Sequence, residues 1–352
     1  MSIAFPPNKY SVATRQKGAA LIMALMVVVM VTLLATTIGN DFLVNFRRVE
    51  NQLLGKQAHA YMHGAEGLAR NALQLDFQSS PAKDHISEGW LDTPQEFPMD
   101  QGVLSGKICD LQGRFNLNNL PKRASPASSG KYSFHQEVFI RLLQTLELDN
   151  PVDQQQAEDI TNAVVDWIDT NNIISSTGGA EDGYYADLEP PYRAGNYALH
   201  STSELRWVKG ISDELYRALA PHITVLNVGS SININTAGIN VLRSLNAVGA
   251  LEPISELDAQ GVINKRDGDV SGGVSGMNPG FSALTDFNPE HPAPPFTGSE
   301  LSVASDYFLL DSTIIFMERK FKLYSVLYRE PTTGNIKTIA RGQSGLGTCY
   351  TH

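Results

Sequence analysis

From Ala19 to Asn40 the chain carries no charge, and Lys9, Arg15 and Lys17 precede this block with no acidic residue among them. At 1.5 Å per residue, the 21 apolar-to-small residues of this block make a helix of about 31 Å, the thickness of a bilayer core. The positive flank favours a start in the cytoplasm, so residues after Asp41 face the other side. A cleaved secretory signal is the rival reading. Against it, the apolar block is long for a signal, and Gly39-Asn40-Asp41 is a poor small-x-small cleavage site.

The 352 residues exceed one typical domain, and 42% hydrophobic content is ample for a folded core. Loss of residues 1–18 would remove three positive charges and take the formal net charge from -10 to -13. That balance opposes nucleic acid or an anionic membrane surface as the main partner and leaves room for cations. Only two cysteines occur, Cys109 and Cys349, both beyond the apolar block. An extracytoplasmic location permits a disulfide between them, with two independent buried thiols as the alternative. They are too few for a zinc cluster, and no H-E-x-x-H motif occurs.

The helix is expected to continue past the membrane. From Phe42 to about Asp76 there is no proline, and Phe42, Phe46, Val49, Leu53, Leu54, Ala58, Tyr61, Ala65, Leu68, Ala69, Ala72 and Leu73 recur at three- and four-residue steps. The apolar spacing does not hold a strict heptad, so a long coiled coil is disfavoured. Ser79-Ser80-Pro81 ends the element, and a region punctuated by Pro, Asp and Gly runs to Gly102. Val103–Phe115 reads as a strand pair or a bent strand, and 121–130 as a Ser/Pro/Ala-rich linker. Helical periodicity then extends to about Leu257, with short helices at Glu204–Val208, Asp213–Ala220, Gly238–Leu245 and Pro253–Leu257. Residues 268–298, with six glycines and five prolines, read as a loop. Asp306–Phe316, Arg319–Tyr328 and Ile336–Ala340 read as three antiparallel strands, turning at Met317-Glu318 and Thr332–Asn335 and packing on the N-terminal helix.

Between Arg141 and Arg193 there is no Lys or Arg but there are eleven acids. Asp166 and Asp169 are interspersed with Val164, Val165, Trp167 and Ile168, which marks a folded helix end rather than an acidic tail. The two can share a helix face. Thr170-Asn171-Asn172 supplies short oxygen ligands, and Gly178 to Gly183 lets backbone carbonyls converge around Glu181 and Asp182. Clustered carboxylates repel one another, and a hard divalent cation relieves that. Calcium fits best, since it accepts six to eight mixed oxygen ligands. The expected ligands are Asp169, Glu181 and Asp182, with Asp166 and Asp187 in reserve; the spacing is not that of an EF-hand. A merely solvated acidic face is the alternative, and paired carboxylates could also serve a hydrolase.

Ser231-Ile232-Asn233-Ile234-Asn235-Thr236-Ala237, followed by Gly238–Leu245, is similar to half of a helix-hairpin-helix module. With a -13 chain outside the membrane, a core scaffold is the better reading than DNA binding.

Taken in order along the chain, these residues resemble the K-type minor pseudopilins of bacterial type II secretion systems. The matching stretches are Lys17 to Leu21, Gln57-Ala58 with Gly64-Ala65-Glu66, Gly113 to Leu120, and Asp166-Trp167-Ile168-Asp169 with Gly179 to Asp182 and Tyr185. Ser203-Glu204-Leu205 with Val208-Lys209-Gly210, and Ile234 to Ala237, complete them. The resemblance implies an α+β pseudopilin fold, its long N-terminal helix packed on an antiparallel sheet, with a large inserted α-helical domain that binds calcium. The implied organisation is a leader at 1–18, the N-terminal helix at 19–76, the first part of the head at 77–120, the insertion at 121–298 and the C-terminal sheet at 299–352.

The resemblance also implies cleavage after Gly18 by the prepilin peptidase and N-methylation of Ala19. It implies a single-pass inner-membrane protein with periplasmic domains. Its expected partners are the I-, J- and H-type minor pseudopilins, the inner-membrane secretion platform, and the exoprotein or secretin. Its expected role is non-enzymatic: to nucleate or cap the pseudopilus tip. Most pseudopilins carry Glu as the fifth mature residue, where this chain has Met23. An apolar residue there avoids burying an unpaired carboxylate in lipid, which agrees with a tip position; Met is also simply a good membrane residue. A minor pilin of a type IV pilus and a membrane-anchored periplasmic hydrolase are the alternatives.

Overall fold

The computed structural model describes residues 17–90, 95–99, 102–121, 131–268, 280–288, 291, 299–344, 346, 347 and 349. Lys9 and Arg15 of the leader, nearly all of the expected linker and most of the expected 268–298 loop lie outside the described residues. By contacts the chain divides into Met1–Gln57 and Ala58–His352, so the limit falls within the long helix rather than at its end.

In the first unit the described residues are all helical. They belong to α1 (Lys17–Ser79), which runs without interruption because no proline breaks its backbone ladder. Leu21, Met26, Val31, Leu34 and Ile38 are more than half exposed, which suits a segment whose solvent is lipid.

In the second unit, a five-stranded antiparallel sheet has the order β1 (Gln95–Met99), β2 (Gly102–Asp110), β7 (Tyr307–Phe316), β8 (Arg319–Arg329), β9 (Ile336–Gly342). The last turns of α1 pack on it. The buried positions Ala58, Met62, Ala65, Ala69 and Leu73 follow the three- and four-residue step that sequence periodicity predicts. Tyr61, on the flank of that stripe, meets Phe316 with ring centroids 6.1 Å apart. Met317 and Glu318 make the β7–β8 turn at φ 48° and 65°, both left-handed, as a two-residue hairpin with the twist of its strands requires.

Three elements differ from expectation. β1 lies in the stretch read as irregular; Pro98 masks it, yet Pro98 is tolerated because β1 is the sheet edge, paired only with β2. Val103–Phe115 is neither a strand pair nor one bent strand. β2 ends at Asp110, and Phe115–Asn116 forms the short β3, parallel to β4 (Ile223–Thr224). The helix expected at Pro253–Leu257 starts instead at Ser255, its N-cap, and runs as α7 (Glu256–Asp267). Only Ala259, Val262 and Arg266 of it are buried, too few to give a visible apolar period.

The helical section leaves the sheet between two neighbouring strands. Asp110 ends β2 and pairs directly with Phe308 of β7, so the excursion spans 111–306 and the pattern-based limits 121 and 298 fall inside it. It holds α2 (Phe134–Gln144), α3 (Gln154–Ile168), α4 (Asp182–Ala186), α5 (Asp213–Leu219), α6 (Ile239–Ser244), α7 and α8 (Leu284–Phe287), with a 3-10 turn at Thr202–Trp207. α2 and α3 both begin with capping boxes, Ser133 with Gln136 and Asp153 with Gln156. One apolar core runs from Phe115 to Leu301. β5 (Ile232–Asn233) pairs in parallel with β6 (Leu301–Ser302) and ties the Ser231–Ala237 stretch to the end of that excursion.

Candidate functional site

An asparagine-rich segment ties the loops of the excursion together, and Asp110 at the end of β2 ties the excursion to the head. Asn116 Nδ2 donates to the Asn227 carbonyl at 2.9 Å, and its Oδ1 accepts from Leu226 N at 3.0 Å. Asn118 Nδ2 donates to the carbonyls of Leu199 and Leu226, and its Oδ1 accepts from Leu199 N. Asn119 holds Ser230 and Gly229 in the same way. Buried Asp110 is the junction, accepting from Thr236 Oγ1 (2.5 Å), Ser305 Oγ (2.6 Å) and Asn233 Nδ2 (3.1 Å). Asp110, Asn116, Asn118, Asn119, Asn233, Thr236 and Ser305 are all buried and bonded, so they define the scaffold rather than a surface. The Ser231–Ala237 stretch is therefore part of the core.

The acidic block closes around the end of α3. Asp166 is fully buried; its Oδ1 accepts from Ser175 N at 3.0 Å, while its Oδ2 has no hydrogen-bond donor. Asp169 caps the helix C-terminus, and its Oδ1 accepts from Asn171 N and Nδ2 at 3.0 and 2.6 Å. Glu181, at the N-cap of α4, is 5% exposed, and neither of its carboxylate oxygens has a donor. Asp182 Oδ1 accepts from Ala194 N at 3.0 Å, and Asp182 N donates to Asn172 Oδ1 at 3.3 Å. Burial, then the charges of Asp166, Asp169 and Asp182, push the Glu181 carboxyl up to about 7. Burial likewise raises Asp166. A Cβ on Gly179 would collide with Asp166 Oδ2, so only glycine lets the loop approach this carboxylate.

The fold thus sets Asp166, Asp169 and Asp182 near enough for their charges to act on Glu181, although no three of these four described carboxylates offer oxygens all within 4.8 Å of one another. It places Asp187 at the exposed C-cap of α4, and Asp187 is not among the charges acting on Glu181. The glycine-loop carbonyls expected to converge on a cation are partly engaged elsewhere. Lys209 Nζ donates to the carbonyls of Gly178 (3.0 Å) and Gly179 (3.4 Å). A lysine beyond the 3-10 turn thus supplies the positive charge that 142–192 lacks, and no local spacing signals it. Orphaned oxygens on Glu181 and Asp166 nevertheless fit a hard cation, because a buried carboxylate without donors is costly. Behind the site Tyr185 packs on Trp167 and Tyr192 with centroids 5.1 and 5.2 Å apart.

Cys109 and Cys349 are joined in a disulfide (S–S 2.14 Å) that ties the tail to β2 beside Leu309, Tyr324 and Val326. At the other end, Gly18, Ala19 and Met23 lie in α1, with Met23 63% exposed.

Residues 113–228, from the asparagine-rich segment through the acidic block, match the family model of type II secretion system (T2SS) protein K. The chain is 35% identical over 257 residues to type II secretion system protein K of Aeromonas hydrophila, covering 72% of this chain and 76% of that one. It is 30% identical over 342 residues to the protein K of Pseudomonas aeruginosa, with 94% of each covered. The chain belongs to the type II secretion system protein K family. As a protein K it is a minor pseudopilin of type II secretion. Its fold is similar to a chain of the crystal structure of the GspK-GspI-GspJ complex from enterotoxigenic Escherichia coli. The TM-score is 0.68 at 26% identity, covering 84% of this chain and 98% of that one. The long N-terminal helix, antiparallel sheet and helical insertion thus agree with the fold that the resemblance implies for a protein K. The N-terminal segment is a helix long and apolar enough to cross a membrane.

Proposed function

We propose that this protein K sits at the tip of the pseudopilus in a complex with I-, J- and H-type minor pseudopilins, where it nucleates or caps the filament without catalysing a reaction. The observation that carries the reading is the division of labour along α1. Ala58, Met62, Ala65, Ala69 and Leu73 are buried, whereas Phe42, Phe46, Val49 and Leu53 are between 56% and 67% exposed. An apolar stripe of this length outside the head needs a cover, and the likeness to a GspK solved with GspI and GspJ supports partner pseudopilin helices as that cover.

In this reading the prepilin peptidase cuts after Gly18, Ala19 is N-methylated, and the apolar helix anchors the protein in the inner membrane with residues after Asp41 in the periplasm. Met23 in place of an acidic residue supports a subunit with none above it. The inner-membrane platform assembles the filament, and the excursion at 111–306 faces the secretin or exoprotein. Calcium completes the acidic block, held by Glu181 and Asp166 with Asp169 and Asp182; its chemistry is charge neutralisation. The orphaned Glu181 and Asp166 oxygens support this.

The test is co-purification of the full chain with its minor partners from membranes. Leu53→Glu is expected to lose the partners and secretion while the head stays folded. Retained partners and intact secretion in Leu53→Glu would overturn the assignment of this stripe as the partner-binding face, and wild-type protein that recovers no partner pseudopilins would overturn the tip reading.

A further inference from the structure

Away from the acidic block, three carboxylates meet beneath the head sheet. Asp76 comes from the last turn of α1, Asp84 and Glu88 from the loop that follows, and Arg329 of β8 faces them. Asp84 is 0% exposed, Glu88 7% and Arg329 2%. Among the described residues, these three alone form a group of carboxylates offering one oxygen each within 4.8 Å of one another. Two oxygens on opposite sides of one calcium, each at about 2.4 Å, lie about that far apart.

The hydrogen bonding is half complete in a consistent way. Asp84 Oδ2 accepts from Arg329 Nη2 and from Ser305 N at 2.7 Å. Glu88 Oε2 accepts from the Trp90 indole N–H at 2.8 Å. Asp84 Oδ1, Glu88 Oε1 and Asp76 Oδ2 are buried with no hydrogen-bond donor. Two of the three carboxylates are thus fixed through one oxygen and leave the other unused.

We propose that Asp76, Asp84 and Glu88 bind a hard divalent cation, of the calcium class, that locks the end of α1 and the 80–90 loop to β8.

The charge balance agrees. Three carboxylates against one guanidinium leave about two negative charges, which one divalent ion neutralises. Arg329 cannot do so alone: its Nη1 is 3.6 Å from Asp76 Oδ2 and makes no hydrogen bond, while Nη2 is shared between Asp84 and the Ser305 carbonyl. The surroundings add negative charge, since buried Asp110 acts on Asp84. His85 Nε2 is 3.7 Å from Glu88 Oε1, and burial followed by the Lys83 charge disfavours its protonated form. Without an ion, burial and then the Asp76 and Asp84 charges push Glu88 up to about 8. The competing state is therefore a proton held on Glu88. All donors are carboxylate oxygens, which select a hard ion over zinc or copper.

The inference does not depend on calcium at the acidic block, and the experiment separates the two. Full-length protein in detergent is stripped with chelator, reloaded with calcium, and its bound metal counted per chain in wild type, Glu88→Gln and Glu181→Gln. The expected result is that Glu88→Gln holds one ion fewer than wild type and Glu181→Gln keeps that ion. A second readout leaves the cluster carboxylates intact. In Glu181→Gln protein, terbium emission excited through tryptophan should appear, and Trp90→Phe should abolish it, because Trp90 touches Glu88. An unchanged ion count in Glu88→Gln, or terbium emission that survives Trp90→Phe, would overturn the site and leave the proton on Glu88 as the answer.

Discussion

Arg341 of β9 donates twice to Glu66 of α1, Nε to Oε1 at 2.7 Å and Nη2 to Oε2 at 2.8 Å, across 275 positions of sequence. Ser325 Oγ adds a third bond to Oε1 at 2.6 Å. This fork clamps the helix to the sheet at a carboxylate that is only 2% exposed. Burial raises the Glu66 carboxyl, but the bonds from Arg341 and Ser325 and the arginine charge outweigh it and hold it at about 2.

The sign of the acid response follows. A folded-state value below the unfolded one means that the contribution is present above about pH 4.5 and is lost as pH falls through about 2. Arg341→Ala leaves Glu66 buried with two hydrogen bonds fewer and is expected to cost about 3 kcal/mol at pH 7. It should also flatten this acid transition. Urea unfolding between pH 2 and 7 checks both.

Processing is checked by mass. Gly18→Ala is expected to leave the basic leader attached, so intact precursor accumulates in membranes. Wild-type protein should begin at Ala19, and a different first residue would rule out the assigned site.

Removal of the cation from the acidic block should lower the melting temperature, since an ion that binds only the folded state contributes about 2.7 kcal/mol at a hundred times its dissociation constant. In a Glu88→Gln background, Glu181→Gln should remove most of that calcium response, and Asp169→Ala less, because Asp169 already accepts two bonds from Asn171. Gly179→Ala should weaken it too, since its new methyl meets Asp166 Oδ2. Differential scanning calorimetry with calcium or chelator measures each. A wild-type protein indifferent to both would refute the site.

Charge on α1 should act differently by position. Ala69 is 5% exposed beneath the sheet, so Ala69→Glu should destabilise the head by several kcal/mol. Leu53 is 57% exposed, so Leu53→Glu should change the head's stability by less than about 0.5 kcal/mol. Thermal denaturation of the two full-length variants makes the comparison.

The sequence by itself determined what is local or periodic. The uncharged block and its basic flank specified the anchor helix. The three- and four-residue step through Ala58, Ala65, Ala69 and Leu73 specified which face of α1 is buried. Alternation and turn chemistry placed β7, β8 and β9 and the Met317-Glu318 turn, and the ordered motifs identified the family. β1 was hidden by Pro98, and α7 by its scarcity of buried side chains. Only the tertiary structure decided which charges meet. Lys209 reaches the glycine loop that seemed free of cations, Asp187 stands apart from Glu181, and Asp76 and Asp84 find Arg329 from more than 240 positions away. Backbone periodicity is written in neighbouring residues, whereas a buried carboxylate's partner is set by how distant strands and helices pack, and no spacing along the chain records that.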